Sequence, residues 1–438
     1  MANLSTFLAR ANPRGAGAQP LAAWRGGLII AAAALAFHVL GAALVADLSL
    51  FPSSLDEIQH LSYLRWMAHA PALFPHFEAI PTLDDRATHW TAAPNYLNHP
   101  SPYYLALGGL DRLLGGSVAA MRLVNIALSG LAVAIMLRAG FTVLRTPREQ
   151  AVFAAFLVLF PKMGVVAGIV SNDNAALLAT AVVFAGLLRW HATGRLADAA
   201  LLAAGLALCG WTKFTVFLMA GFAVAIAELP RLKLMAVRPR LARCAVIALG
   251  AGAGAVPTLE NLARYGRPLF HPTNFFTPVA ERTAVSFADY AALFFQQMAI
   301  TWSAREPARP LEMAGLAGVL AILGLTVVLA ARRARAGEPL TAPWIVALGF
   351  GLALPPTLAL HLWFGWQAVL EDGYLTAAQA RYYYGVWPGI ALAAALLWRE
   401  APLRAVRPAI LLTLALLLLA SPALLMLVTE VRGDPPIR

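Results

Sequence analysis

This sequence predicts an all-α fold, a polytopic transmembrane helical bundle of about eleven spans, and three observations predict it. Hydrophobic residues make up 60% of the 438 and charged residues only 13%, far from the balance of a soluble domain. The apolar residues gather into eleven runs, each close to the ~20 residues that cross a hydrocarbon core about 30 Å thick. Lys and Arg collect in every second connection, as they do in the cytoplasmic loops of membrane proteins.

The first run, 24–46, has basic flanks, is too long for a signal-peptide core and is followed by no small-residue cleavage pattern. It reads as a retained helix with no soluble domain before it. A first outer loop, 47–117, comes next, and its roughly 70 residues are too many for a structureless connection. Within it 55–70 reads as an interfacial helix: Ile58, Leu61, Leu64 and Trp66 share one side, and Asp56, Glu57, His60 and Arg65 the other. Pro71 stops it. A second short helix, 101–114, is introduced by Asn98-His99-Pro100-Ser101-Pro102.

Runs 118–138, 150–169, 174–190, 196–211, 214–229 and 244–259 follow with short turns. Ser171-Asn172-Asp173-Asn174 and Trp211-Thr212-Lys213-Phe214 stand at outer turns, with Lys162 about two turns inward of the first. A second outer loop, 260–310, carries Arg264. Runs 311–331 and 343–364 precede a third outer loop, 365–382, which ends in Gln379-Ala380-Arg381-Tyr382, and runs 383–398 and 407–428 complete the chain. The whole reads as one membrane-embedded domain, 1–438.

The basic connections hold 19 of the 33 Lys and Arg and only 5 of the 22 acids. That places them in the cytoplasm, with the N-terminus, and the C-terminus on the outer, periplasmic side. The net charge of +11 is a topology signal; spread over six loops, it forms no stripe for nucleic acid. The two cysteines, Cys209 and Cys244, lie in or beside spans, which excludes a disulfide framework and a zinc cluster.

The unusual residues gather at outer positions in a recognisable order. Ser54-Leu55-Asp56-Glu57-Ile58-Gln59-His60 stands early in the first outer loop, His99-Pro100-Ser101-Pro102-Tyr103-Tyr104 follows, and Ala120-Met121-Arg122-Leu123 starts the next span. Asn172-Asp173, Thr212-Lys213 and Ala380-Arg381-Tyr382-Tyr383 come later. This order resembles the GT-C superfamily of membrane glycosyltransferases, especially its protein mannosyltransferase and aminoarabinose transferase types and their bacterial relatives, over about residues 24–400. Ser101 and Ala380 depart from the usual Pro and Gly. The resemblance implies a bacterial inner-membrane enzyme. It would transfer a monosaccharide from a polyprenyl-phosphate carrier such as an undecaprenyl lipid to a lipid, polysaccharide or protein acceptor on the periplasmic side, in cell-envelope glycosylation.

The residues suit that chemistry. An acceptor hydroxyl is a poor nucleophile, and a positioned carboxylate that takes its proton supplies general-base catalysis; Asp56 is the candidate, with Glu57 beside it. A lipid phosphate leaves already ionised, so it needs cations and no general acid. Arg381, Lys213 and Lys162 are the candidates, with Arg264 behind them, and Arg381 has the fork that phosphate favours. Asp173, Tyr382 and His99 complete the candidate substrate site. A divalent cation, Mg or Mn, stays open as a cofactor, with Asp56 and His60, spaced i, i+4, as its ligands.

Each residue also has a structural reading. Asp56-Glu57 could favour a helix N-terminus, Asp173 could cap one, the lysines could snorkel to headgroups, and the aromatics around Tyr382 could form an interfacial belt. Two other functions stand beside the transferase. A flippase or transporter for lipid-linked saccharides would place polar groups at mid-span, and these spans carry almost none. An inactive assembly subunit would have no use for both Asp56 and Arg381.

Overall fold

The computed structural model describes residues 21–53, 55–160, 163–233, 235–266, 286–299, 309–372, 379–400 and 406–431. The elements are α1 (Leu21–Leu48), α2 (Glu57–His69), β1 (Pro81–Leu83), β2 (Trp90–Pro94), α3 (Pro102–Leu113), α4 (Val118–Phe141), α5 (Pro147–Val158) and α6 (Met163–Ala167). They continue with α7 (Asp173–Thr193), α8 (Leu196–Gly210), α9 (Phe214–Leu232), α10 (Val237–Tyr265), α11 (Phe287–Ala299) and α12 (Arg309–Arg335). Last come α13 (Ala342–Leu352), α14 (Leu354–Asp372), a 3₁₀ turn (Ala380–Val386), α15 (Trp387–Arg399), α16 (Val406–Leu419) and α17 (Pro422–Val431).

All eleven sequence-predicted runs fall on helix. Among the described residues seven helical stretches are long and apolar enough to cross a membrane: Gly26–Leu48, Val118–Phe141, Asp173–Thr193, Phe214–Leu232, Val237–Tyr265, Met313–Arg335 and Ala342–Leu370. The difference from eleven lies in 196–211, whose helix is only 15 residues long, and in three broken runs. Run 150–169 divides between α5 and α6, 383–398 begins in the 3₁₀ turn, and 407–428 breaks before Pro422, a residue that can start a helix but not continue one.

Local signals set the helix starts. Ser117 accepts the Ala120 N–H at the head of α4, and at the head of α5 Thr146 accepts the Glu149 N–H while Glu149 accepts that of Arg145, a capping box shifted by one residue. The largest core cluster joins Phe153 and Phe156 of α5, Phe184 of α7, Trp344 and Phe350 of α13 and Trp387 of α15. The Trp387 indole donates to the Phe156 carbonyl at 2.6 Å. Every residue from Trp387 to Leu397 is buried, so α15 is the central rod, and Gly389 lets it lie where any Cβ would collide with Phe350. Large apolar side chains face outward instead on α1 (Leu28, Ile29, Leu40), α10 (Leu241, Leu249, Leu259) and α16 (Leu411, Leu412). Lipid tails are as apolar as these residues, so close packing and internal hydrogen bonds hold such a bundle together more than water exclusion does.

The segment between α1 and α4 packs as one unit. An added Cβ on Gly108 of α3 would stand 2.6 Å from the Leu64 carbonyl of α2, which explains the glycine at that crossing, and the Tyr63 and Tyr104 rings stack at 3.8 Å. Arg65 binds Asp111 at 3.1 Å and the Ala87 carbonyl at 2.6 Å. Strands β1 and β2, an addition to the all-α expectation, pair antiparallel with Leu83 opposite Trp90. Ser62 of α2 accepts the Leu83 N–H at 2.8 Å, and Asn95, just past β2, donates to the Gln59 carbonyl at 2.8 Å. These bonds carry the segment after the hairpin back over the start of α2.

Candidate active site

Four acidic and basic side chains from distant parts of the chain meet where α2, α7, α9 and the 3₁₀ turn begin. Asp56 stands immediately before α2 with φ 62° and ψ 19°, a left-handed conformation that costs a non-glycine residue about 1 kcal/mol or more. The turn aims its carboxylate away from the helix, where it caps nothing. Its Oδ1 accepts the Tyr96 hydroxyl and its Oδ2 accepts Nη2 of Arg381. Arg381 also donates from Nη1 to the Leu55 carbonyl at 3.2 Å, and its Nε lies 3.7 Å from Oδ2 of Asp173. Asp173, the first residue of α7, pairs through Oδ1 with Lys213, the residue before α9. The Tyr382 ring lies under both cations, 4.4 Å from the Lys213 nitrogen and 5.5 Å from the Arg381 guanidinium carbon.

Burial divides the four. The side chains of Arg381, Asp173 and Lys213 are 2%, 3% and 8% exposed, whereas Asp56 is 23% exposed. Asp56 is therefore the member of the cluster that a molecule arriving from solvent can touch. Burial lowers the proton affinity of Lys213 against the pull of Asp173. Burial also works against the Arg381 charge, but the Tyr382 phenol and the Asp56 and Asp173 carboxylates outweigh it and hold the guanidinium above its usual value. Burial, then the Asp56 charge, push the Tyr96 phenol well up, so it stays a neutral donor to the carboxylate. Close to these charges, three buried polar atoms have no hydrogen-bond partner among the described residues: Arg381 Nε, Asn172 Oδ1 and the Tyr384 hydroxyl. Buried polar groups are ordinarily bonded, and such atoms mark a place that can bind a polar ligand.

Two histidines flank the cluster as neutral groups. His60 bonds Tyr104 at 2.8 Å through Nδ1 and lies 3.4 Å from the Ser171 hydroxyl through Nε2. Burial lowers its pKa to about 3, with Asp173 opposing and Arg381 and Lys213 adding to the shift. His99 stacks on His60 at 5.9 Å, and burial with the Lys213 charge holds it well below the usual imidazole value. Its ring makes no hydrogen bond among the described residues, which leaves its nitrogens for a substrate.

The structure thus brings together Asp56, Asp173, Lys213, Arg381 and Tyr382, with His99 alongside. Glu57 and Arg264 stand apart. Glu57 is fully buried; Arg122 grips both its oxygens at 2.8 and 2.7 Å, and it accepts the N–H groups of Ser53 and Val170. It has no open side. Arg264 turns to the Phe74 and Pro75 carbonyls and to Glu260, not to the cluster. Lys162 lies outside the described residues. As candidate metal ligands, Asp56 and His60 share no partner, and a cation at Asp56 would sit against the Arg381 charge. Among the described residues no group of three or more His, Cys, Asp or Glu could hold a metal ion.

Tyr96 is the site residue that sequence reasoning missed, and Arg122, quoted only within its motif, had been given no partner. Tyr96 lies three residues before His99 in the same segment, and an arginine at a span start needs a buried acid or a headgroup.

No protein-family model and no curated protein matches the chain. Among solved structures it is similar to ArnT from Cupriavidus metallidurans bound to undecaprenyl phosphate, with a TM-score of 0.47 and 16% identity over 86% of this chain and 60% of that one. It is also similar to the same ArnT in the apo state, with a TM-score of 0.45 and 16% identity over 87% and 61%. The chain therefore spans about three fifths of the length of those structures.

Proposed function

We propose that the chain is an inverting glycosyltransferase that moves a monosaccharide from a polyprenyl-phosphate carrier to an acceptor hydroxyl on the periplasmic side of the bacterial inner membrane. One observation carries this reading. A partly open carboxylate, Asp56, stands beside a buried pair of cations, Arg381 and Lys213, at the end of the bundle away from the basic connections.

In the proposed step the acceptor oxygen attacks the anomeric carbon while the bond from that carbon to the phosphate oxygen breaks. The acceptor proton goes to Asp56, and the bonding pair leaves with the phosphate, whose new charge faces Arg381 and Lys213. One displacement inverts the sugar carbon. The charge balance is favourable, because Asp56, Asp173, Lys213 and Arg381 sum to zero before the donor arrives. A phosphodiester makes the site singly negative. When the phosphate gains a second charge Asp56 becomes neutral, so the net charge does not change during the step and little reorganisation of the buried site is required.

Tyr382 and the unbonded nitrogens of His99 supply a ring face and hydrogen-bonding groups for the sugar. A divalent cation would add Lewis-acid assistance to the phosphate; the proposed step takes its positive charge from the two side chains.

The test is sugar release or transfer from a panel of radiolabelled polyprenyl-phosphate sugars by the purified protein in lipid, with and without chelator. Turnover that survives chelation and is lost in Asp56→Asn and Arg381→Ala, with both variants folded, supports the reading. Full activity in Asp56→Asn, or a folded native chain that turns over no donor, rejects it in favour of the inactive-subunit or transport alternatives.

A further inference from the structure

In this structure the base and the phosphate-binding cation of the proposed reaction are bonded to each other. Arg381 spends Nη2 on Asp56 and Nη1 on the Leu55 carbonyl, and its Nε faces Asp173 without a hydrogen bond. Asp56 spends one oxygen on Arg381 and the other on Tyr96. A carboxylate with one oxygen held by a guanidinium and the other by a phenol has no unengaged oxygen to offer an acceptor hydroxyl. A guanidinium so occupied has one free N–H edge for a phosphate. Arg381 is enclosed on all sides, whereas Asp56 is partly open and attached to the strained turn that begins α2. Asp56 is thus the partner able to withdraw.

We propose that Asp56 and the donor phosphate are rival anions for Arg381, so that the base is freed only when the donor is seated. This rests on the phosphate-binding reading above. A phosphate oxygen takes the Nη2 donor that Asp56 held, and no covalent bond changes. Arg381 keeps an anionic partner throughout, which avoids leaving a buried charge unpaired. Asp56 retains the Tyr96 hydroxyl as its hydrogen-bond donor and turns its other oxygen to the acceptor. After transfer Asp56 carries the acceptor proton and cannot rebind Arg381 as an anion. The lipid phosphate is held until that proton departs, and the restored carboxylate then displaces it. The exchange sets an order in which the donor enters first and the product lipid leaves after deprotonation.

The exchange predicts opposite signs for two substitutions, a pattern that loss of structure cannot mimic. Binding of undecaprenyl phosphate to the full chain in lipid nanodiscs is titrated for the native protein, Asp56→Asn, Tyr96→Phe and Arg381→Ala, with thermal unfolding checked in each. Asp56→Asn removes the rival anion and tightens binding about tenfold or more, the worth of a charge-assisted hydrogen bond. Tyr96→Phe strips Asp56 of its other donor, drives it harder onto Arg381 and weakens binding a few-fold. Unchanged or weaker binding in Asp56→Asn, or a shift of the same sign in both variants, overturns the exchange. Binding that is absent in the native chain, or indifferent to Arg381→Ala, overturns the phosphate-site reading and the exchange with it.

Discussion

Glu57 and Arg122, 65 residues apart in sequence, close a two-bond ion pair beneath the site, and Arg122 also donates to the Ala46 and Ser49 carbonyls. Through it the end of α1, the start of α2, the start of α4 and Val170 before α7 are fixed to one another. Removing one partner leaves a buried charge unmatched, so Glu57→Gln or Arg122→Met should cost about 3–5 kcal/mol of stability. A double replacement by apolar residues of similar volume should cost much less. Thermal unfolding in detergent decides it; equal losses in the single and double variants would show that the pair is not the cause.

Arg381 holds two acids and a carbonyl in a fork that an ammonium cannot copy. Arg381→Lys is therefore expected to retain charge but lose most transfer, with kcat down about 10²–10³-fold, the range for removal of one transition-state donor. Steady-state kinetics on a polyprenyl-phosphate sugar would measure it, and a lysine variant with native kcat would remove Arg381 from the proposed step.

The neutral His60 makes the fold acid-sensitive in a calculable direction. Its pKa of about 3 lies below the ordinary 6.5, so between these values the unfolded chain binds a proton that the folded chain refuses. Stability is then fully present well above pH 6.5 and falls as the pH drops towards 3, by at most about 1.4 kcal/mol per unit. Unfolding midpoints from pH 7.5 to 5.5 should fall more steeply in the native chain than in His60→Gln. Parallel slopes would mean that other groups carry the acid sensitivity.

At the far end of α7 and α9, about 30 Å from Asp173 by helix length, Glu228 binds Arg243 through two bonds of 2.9 Å and lies 2.7 Å from His191. Arg243 stacks on Trp190 at 3.8 Å. Glu228→Gln should lower the unfolding temperature as a broken buried pair does, yet leave kcat and KM at low temperature within about twofold. A large change in KM for the donor would indicate that this end communicates with the site.

Apolar periodicity made the helices legible, and turn residues explain where they break. Pro355 and Pro356, without N–H groups, coincide with the join of α13 and α14 inside one predicted run. The hairpin 81–94 was not legible, because strands of three and five residues carry too few alternations to register. Asp56, Asp173, Lys213 and Arg381 stood out as charges at outer helix ends. Their mutual neutralisation did not, since pairing between residues 325 apart leaves no linear trace. Arg264 looked equivalent to them, although Glu260 one turn earlier already pointed to a local i, i+4 partner.

The central rod α15 and the arginine just before it are supplied by the last quarter of the chain. During biosynthesis the core helices from α5 to α13 are complete before Trp387 emerges to fill the slot between them. Asp56 has no counter-charge from Arg381 until that moment. A nascent chain released early would leave Asp56 without Arg381 and the bundle core without its central rod.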